Sequence, residues 1–294
     1  MAIRRLLTSS FRNLYEWRRA ILVQTVLIVT LVTATTLMPE QRVTLQQALT
    51  VFRRLRQRTT ETVRSNLGMA WRSSGNTNEE LVRNLEKGQI FTSPRVREAM
   101  LAVDRGDFSP RAPYMDQPQG IGWNATISAP HMHAAALEYL KNHLVEGAYA
   151  LDVGSGSGYL TVCMALMIGE NGKVVGIEHI PELVELSKKN TRKHHAELLD
   201  TGRVIFVEGD GRKGYPLSHK YDAIHVGAAA ETIPPALIEQ LAEGGRMLIP
   251  VGKESGNQVF LQVDKIDGNV TQKVIEHVIY VPLTSKAHQL GRYD

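Results

Sequence analysis

The chain has 294 residues, 43% of them hydrophobic and 22% charged, with a net charge of +4 and a single cysteine, Cys163. This composition excludes a disordered or collagen-like chain and bounds the fold at one large domain or two small ones. One cysteine excludes an internal disulfide and fits a reducing compartment, and its apolar helical surroundings mark it as a packing residue before a catalytic thiol.

The charge is unevenly spread. Residues 1–68 hold eleven Arg, no Lys and three acids, a net +8 against a whole-chain +4, so the rest carries −4. A mildly acidic body lacks the basic face of a nucleic-acid reader, and no nucleic-acid partner is expected. Within the extension, Ala20 to Met38 is uncharged and approaches the length of a bilayer span, although Gln24 and five threonines weaken it. Arginines flank it on both sides, so charge sets no orientation. Three readings stay open: a membrane anchor, a mitochondrial targeting segment, or an extension bypassed during synthesis. Thr44 to Val63 is patterned as a basic amphipathic helix, which suits a membrane surface or a linker.

From residue 69 the pattern is that of a compact domain. Thr77-Asn-Glu-Glu80 has the spacing of a capping box, with Leu81 and Leu85 following at helical period. Ser93-Pro94 opens a second helix over Arg95 to Val103. A Pro-, Tyr- and Gly-rich loop is expected from Ser109 to Trp123. A third helix is expected to run to about Leu144, with Ser128 at its N-cap and Pro130 in its first turn. On spacing alone Ser128 is a capping serine worth about 1 kcal/mol. His131 and His133 have no third ligand at metal spacing, so no metal is expected.

Ala148 to Val153 is a short apolar strand that leads into Asp152-Val-Gly154-Ser155-Gly156-Ser-Gly158, followed by an apolar helical pattern. Glycines there let the backbone take positive φ and let a ligand approach closely. The alternating spacing departs from the G-x-G-x-x-G of dinucleotide sites, and no Gly-Lys-Ser/Thr follows. An acid before such a loop suits a ligand carrying positive charge, and the pattern resembles that of class I S-adenosylmethionine methyltransferases. The alternative is an ordinary strand–helix turn. Further strands are expected at Lys173–Ile177, Arg203–Val207 and Tyr221–Val226. Glu178 stands at the tip of the second, where a carboxylate can hold a ribose diol. Asp210 and Gly211 follow the third, where an acid can meet an adenine amino group. Each acid alone would more often be a solvated loop carboxylate; three at successive strand tips favour a nucleoside ligand. Gln258–Val263 and Lys273–Val281 alternate like antiparallel strands joined through Asp267-Gly268. The fold expected is α/β: a Rossmann-like, doubly wound, mostly parallel sheet with a closing antiparallel hairpin and an N-terminal helical cap.

The chain resembles the protein-L-isoaspartate (D-aspartate) O-methyltransferases. The resemblance is carried by Met69-Ala-Trp-Arg-Ser-Ser-Gly75, Pro113-Tyr-Met-Asp116, Ala125-Thr-Ile-Ser-Ala-Pro-His-Met-His133, Leu151 to Gly158, Tyr221 to Ala230 and Tyr280-Val-Pro-Leu-Thr284. It covers residues 69–294, and the Ala125–His133 segment is its most specific part. The resemblance implies that Ser128 is the active-site serine, and that Ala125, Thr126, Ile127, Ser128 and His133 line the cofactor and substrate pocket. It implies that Asp152 and Ser155 meet the methionine end of S-adenosyl-L-methionine, Glu178 and His179 the ribose, and Asp210 and Gly211 the adenine. Gly154, Gly156 and Gly158 form the cofactor loop, and Thr284 and Gln289 lie near the cofactor. Glu178 departs from the Asp of many members, which the chemistry of a diol tolerates.

The expected reaction is repair. The free carboxylate of an isoaspartyl residue takes the methyl, and the ester closes to a succinimide that reopens partly to aspartate. Partners are then isoaspartyl-containing peptides and proteins, with membrane contact confined to residues 1–68. The family likeness implies a monomer in the cytosol. Residues 1–68 are absent from the short family forms, whose start Met69-Ala-Trp resembles, so Met69 is a candidate alternative initiator.

Overall fold

The computed structural model describes residues 73–291. The expected anchor, the basic amphipathic helix and the Met69 start lie outside the described residues. Among the described residues, no helix is long and apolar enough to cross a membrane.

Helix α1 (Asn78–Lys87) begins where the sequence indicates, with the Thr77 hydroxyl accepting from the Glu80 amide at 3.2 Å. The other half of the box differs. The Glu80 carboxylate accepts from the Asn76 backbone and side-chain amides, at 2.8 and 3.0 Å. Helix α2 (Pro94–Ala102) follows. The expected loop then yields to a hairpin, β1 (Gln119–Gly122) and β2 (Ala125–Ile127), turned by Trp123 and Asn124 at φ 48° and 55°. Two positive φ values at the centre of a two-residue turn match the right-handed twist of the strands.

Helix α3 (Pro130–Leu140) starts one residue later than Ser128 would set it. Its N-cap is Ala129, with no side-chain cap bond, so Ser128 is not the cap. It also ends four residues short of Leu144. Arg95 of α2 donates to the carbonyls of Lys141, Leu144 and Met167, which takes up that end of the chain.

The sheet follows in strand–helix alternation: β3 (Tyr149–Val153), α4 (Tyr159–Met167), β4 (Lys173–Glu178), α5 (Pro181–Thr191), α6 (Ala196–Asp200), β5 (Val204–Glu208), β6 (Tyr221–Val226), α7 (Pro235–Gln240) and β7 (Leu241–Val251). The antiparallel pair β8 (Gln258–Ile266) and β9 (Asn269–Val278) and a short α8 (Lys286–Gln289) close the chain. The strand order is β5-β4-β3-β6-β7-β8-β9, parallel from β5 to β7 and antiparallel beyond.

Side chains alternate across the strands. Ala150, Val174 and Ala223 join the core beneath α1 to α5, while Leu151, Val175 and Ile224 face the opposite core with Leu237 of α7. Because both faces are covered, the central strands read as near-continuous apolar runs. The order reverses between β3 and β6, and ligands of such sheets bind at that reversal, at the C-terminal strand ends.

The last strand ends at Val278, short of the expected Val281. From there the chain crosses back over the sheet edge, held by Ala229 N–H donating to the Val281 carbonyl and Leu283 N–H to the Ala229 carbonyl, each at 2.8 Å. That crossing builds one wall of the site.

Candidate active site

The loop after β3 turns on three left-handed glycines, at φ 76°, 52° and 88° for Gly154, Gly156 and Gly158. Gly154 N–H donates to the Ile177 carbonyl at 2.8 Å, which ties the loop to the tip of β4. At that tip Glu178 is buried. It accepts from Gly156 N–H at 3.2 Å with one oxygen, and from His179 and Ile180 N–H at 2.8 and 3.2 Å with the other. Burial raises its pKa above the usual carboxylate value, and the amide donors oppose that shift.

Two adjoining cavities share this loop. The outer one is an open cleft of about 530 Å³, solvent space included, lined by Ala125, Thr126, Gly154, Gly156, Glu178, His179, Gly211, Thr284 and Gln289, with 281–283 as a further wall. Gln289 reaches across it: its Oε1 accepts from His179 Nε2–H at 2.7 Å, and its Nε2 donates to the Trp123 carbonyl at 2.9 Å. The inner cavity, about 340 Å³, is lined by Thr126, Ile127, Ser128, His133, Asp152, Gly154, Ser155 and Gly156, together with Tyr159, His225 and Gly227. The Ser155 hydroxyl is buried there without a hydrogen-bond partner. An orphaned buried hydroxyl is costly unless a ligand completes it. The glycines matter for space as well: a Cβ on Gly156 would come within 3.2 Å of Ile121 Cδ1, and one on Gly227 within 3.2 Å of the Gly154 carbonyl.

Two expected residues stand apart from the cavities. Asp210 forms a two-toothed pair with Arg212, at 2.9 and 2.8 Å, which holds its carboxyl below the usual range. Its side chain is therefore paired, and only the neighbouring Gly211 lines the outer cavity. Gly158 lies behind the loop, as the left-handed cap of α4.

Asp152 is in place but engaged. Thr161 donates to one oxygen at 2.6 Å, and His225 Nδ1 meets the other at 2.9 Å. His225 is the in-register neighbour of Asp152 on β6. The acid thus sets the potential of the inner cavity from beneath.

Ser128 is held from two sides. Its carbonyl accepts from Arg105 Nη2 at 2.6 Å, and its hydroxyl faces the phenol of the half-buried Tyr280. Arg105 carries no local signal in the sequence, and although His225 and Tyr280 stand in stretches that carry the family likeness, nothing local pairs them with Asp152 or Ser128.

A sequence profile described as Protein-L-isoaspartate(D-aspartate) O-methyltransferase (PCMT) matches residues 76–288. A Caenorhabditis elegans protein named protein-L-isoaspartate O-methyltransferase is 67% identical over 224 residues, 76% of this chain and 100% of that protein. A wheat (Triticum aestivum) protein of the same name is 52% identical over 217 residues, covering 72% of this chain and 94% of its own. Among solved structures, a Plasmodium falciparum protein-L-isoaspartate O-methyltransferase in complex with S-adenosyl-L-homocysteine aligns with a TM-score of 0.67 at 37% identity. That alignment covers 71% of this chain and 99% of the other.

Proposed function

Because the chain belongs to the protein-L-isoaspartate(D-aspartate) O-methyltransferase family, we propose that it transfers a methyl group from S-adenosyl-L-methionine to the free carboxylate of L-isoaspartyl and D-aspartyl residues in damaged peptides and proteins. The observation that carries the reading is one juxtaposition. Ser128 and the orphaned Ser155 hydroxyl line the same inner cavity, and the loop that bears Ser155 continues into an outer cavity rimmed by the buried Glu178.

S-adenosyl-L-methionine supplies a methyl on a positively charged sulfonium, already electrophilic. The residues of the chain therefore bind and orient. Glu178 and His179 take the ribose diol, Gly211 leaves room for the adenine, and Thr284 and Gln289 close the outer cavity. The hydroxyl of Ser155 receives the methionine end. Asp152, shared between Thr161 and His225, draws positive charge to the inner cavity without a direct bond. Asp210, although paired with Arg212, keeps acceptor capacity for the adenine amino group.

The substrate carboxylate is ionised at neutral pH, so no base is needed to activate it. Ser128 holds that carboxylate with a hydrogen bond, and orientation alone can lower a barrier by about 7 kcal/mol or more. The methyl ester then closes through the neighbouring backbone nitrogen to a succinimide, and hydrolysis returns part of it to aspartate. The catalytic domain is residues 69–294, acting as a cytosolic monomer on isoaspartyl chains without nucleic acid, with any membrane contact confined to residues 1–68.

The test follows the product by mass. With the full chain and S-adenosyl-L-methionine, an isoaspartyl peptide gains one methyl, then loses methanol, then regains water. In Ser128→Ala the KM for the peptide rises about tenfold, the value of one charge-assisted hydrogen bond, while cofactor affinity stays unchanged. No methyl gain overturns the reading; an unchanged peptide KM removes Ser128 from it.

A further inference from the structure

Arg105 opens a short 3-10 turn, Arg105–Asp107, and its side chain is fully buried. Among the described residues it forms no ion pair with a carboxylate; Asp116 acts on it only through the field. A buried guanidinium without a partner carboxylate is expensive to keep, so its contacts bear on its use. They are two. Nη1 lies 3.1 Å from His133 Nδ1, and Nη2 donates to the Ser128 carbonyl at 2.6 Å. Both recipients line the inner cavity.

A guanidinium has five donors and no acceptor. His133 Nδ1 must therefore present its lone pair to Arg105, and the neutral ring carries its proton on Nε2. We propose that Arg105 is a positioning residue for methyl transfer: it fixes His133 as the neutral Nε2–H tautomer and steadies the Ser128 peptide, so that the inner cavity offers the substrate carboxylate a donor without a positive charge beside the sulfonium. This rests on the functional reading above.

The surroundings agree. Burial, then Arg105, His225 and His131, hold the His133 pKa well below its ordinary value, so an imidazolium is excluded near neutral pH. The Tyr159 ring flanks both partners, with the guanidinium 5.2 Å from its centroid and the imidazole centroid also at 5.2 Å. Arg105 itself is pulled down to about 10 by burial and stays charged at neutral pH. The competing account is that Arg105 only clamps the helical cap to the core over Tyr159.

Nitrogen-15 NMR on the full chain with labelled histidine separates the two. In the parent protein His133 should show a protonated Nε2 and a pyridine-like Nδ1. In Arg105→Met and Arg105→Lys the Nδ1–H form should appear, with kcat lowered about tenfold or more, the scale of one misplaced preorganised donor. The KM for S-adenosyl-L-methionine should hold within a factor of about three, well inside what one lost hydrogen bond would cost. Arg105→Lys keeps the charge but not the planar fork, so it decides the matter if Arg105→Met fails to fold. His133→Gln offers an amide N–H of similar reach and has no tautomers. In that background the Arg105→Lys loss in kcat should shrink, a coupling that a structural clamp would not produce. An Nδ1–H tautomer in the parent, an unchanged tautomer in the variants, or equal losses in both backgrounds overturns the proposal. The expected tautomer with no methyl transfer in the parent overturns the functional reading and the positioning role together, whereas turnover with the other tautomer overturns the positioning role alone.

Discussion

Gly158→Ala lowers the melting temperature of the full chain by about 5–20 °C, on a scale of about 2–4 °C per kcal/mol for a domain of this size. Two costs add. Gly158 caps α4 at φ 88°, where an L-residue costs about 1–3 kcal/mol. A new Cβ would also stand 2.9 Å from Ser187 Cβ and 3.0 Å from Phe206 Cζ, inside a packed layer between α4, α5 and β5. Overpacking of that kind costs about 1–3 kcal/mol more. The comparison is Gly154→Ala, also left-handed at φ 76° but with its nearest neighbour at 4.0 Å, so only the first cost applies. Calorimetry on the two variants separates strain from crowding. Equal melting shifts would contradict the packing argument.

Glu178→Gln weakens S-adenosyl-L-methionine binding about 10- to 100-fold, the loss of one or two charge-assisted hydrogen bonds. The residue matches carboxylate to amide donors on both oxygens, three N–H groups in all. A glutamine turns one oxygen into a donor, which then faces either Gly156 N–H or the His179 and Ile180 amides. The loop loses one of its ties to β4, and the ribose loses an acceptor. The pH dependence has a definite sign. Cofactor affinity is full above the Glu178 pKa and falls as pH drops through it, because the protonated acid accepts fewer bonds. Burial raises that pKa, so the decline begins at higher pH than for an exposed glutamate. Calorimetric titration across the acid range checks it. An affinity flat with pH in the parent, or equal in parent and variant, would contradict the role.

What the sequence made legible was local chemistry. The alternating glycines allow positive φ at three alternate positions, 154, 156 and 158, and all three take it. Apolar runs with no alternation announced strands covered on both faces, which placed Glu178 at a strand tip. Local rules failed where tertiary contacts outbid them. The spacing of Ser128 suited an N-cap, yet Arg105 draws its carbonyl away and the helix begins after Ala129. Glu80 had a capping-box spacing, but Asn76 offers it two donors in place of one. The β1–β2 hairpin was missed because Trp-Asn is an unusual turn pair, and glycine and proline before it read as loop. The pairings of Arg105, His225 and Tyr280 were hidden for a different reason. Their partners lie far along the chain, and no period or motif links position 105 to 133 or 128 to 280.

The most direct measurement is transfer of labelled methyl from S-adenosyl-L-methionine by the full chain to two peptides that differ only in one linkage, isoaspartyl in one and normal aspartyl in the other. Labelling of the isoaspartyl peptide alone is the predicted result. Equal labelling of both, or of neither while the cofactor binds, would contradict a repair methyltransferase built on this site.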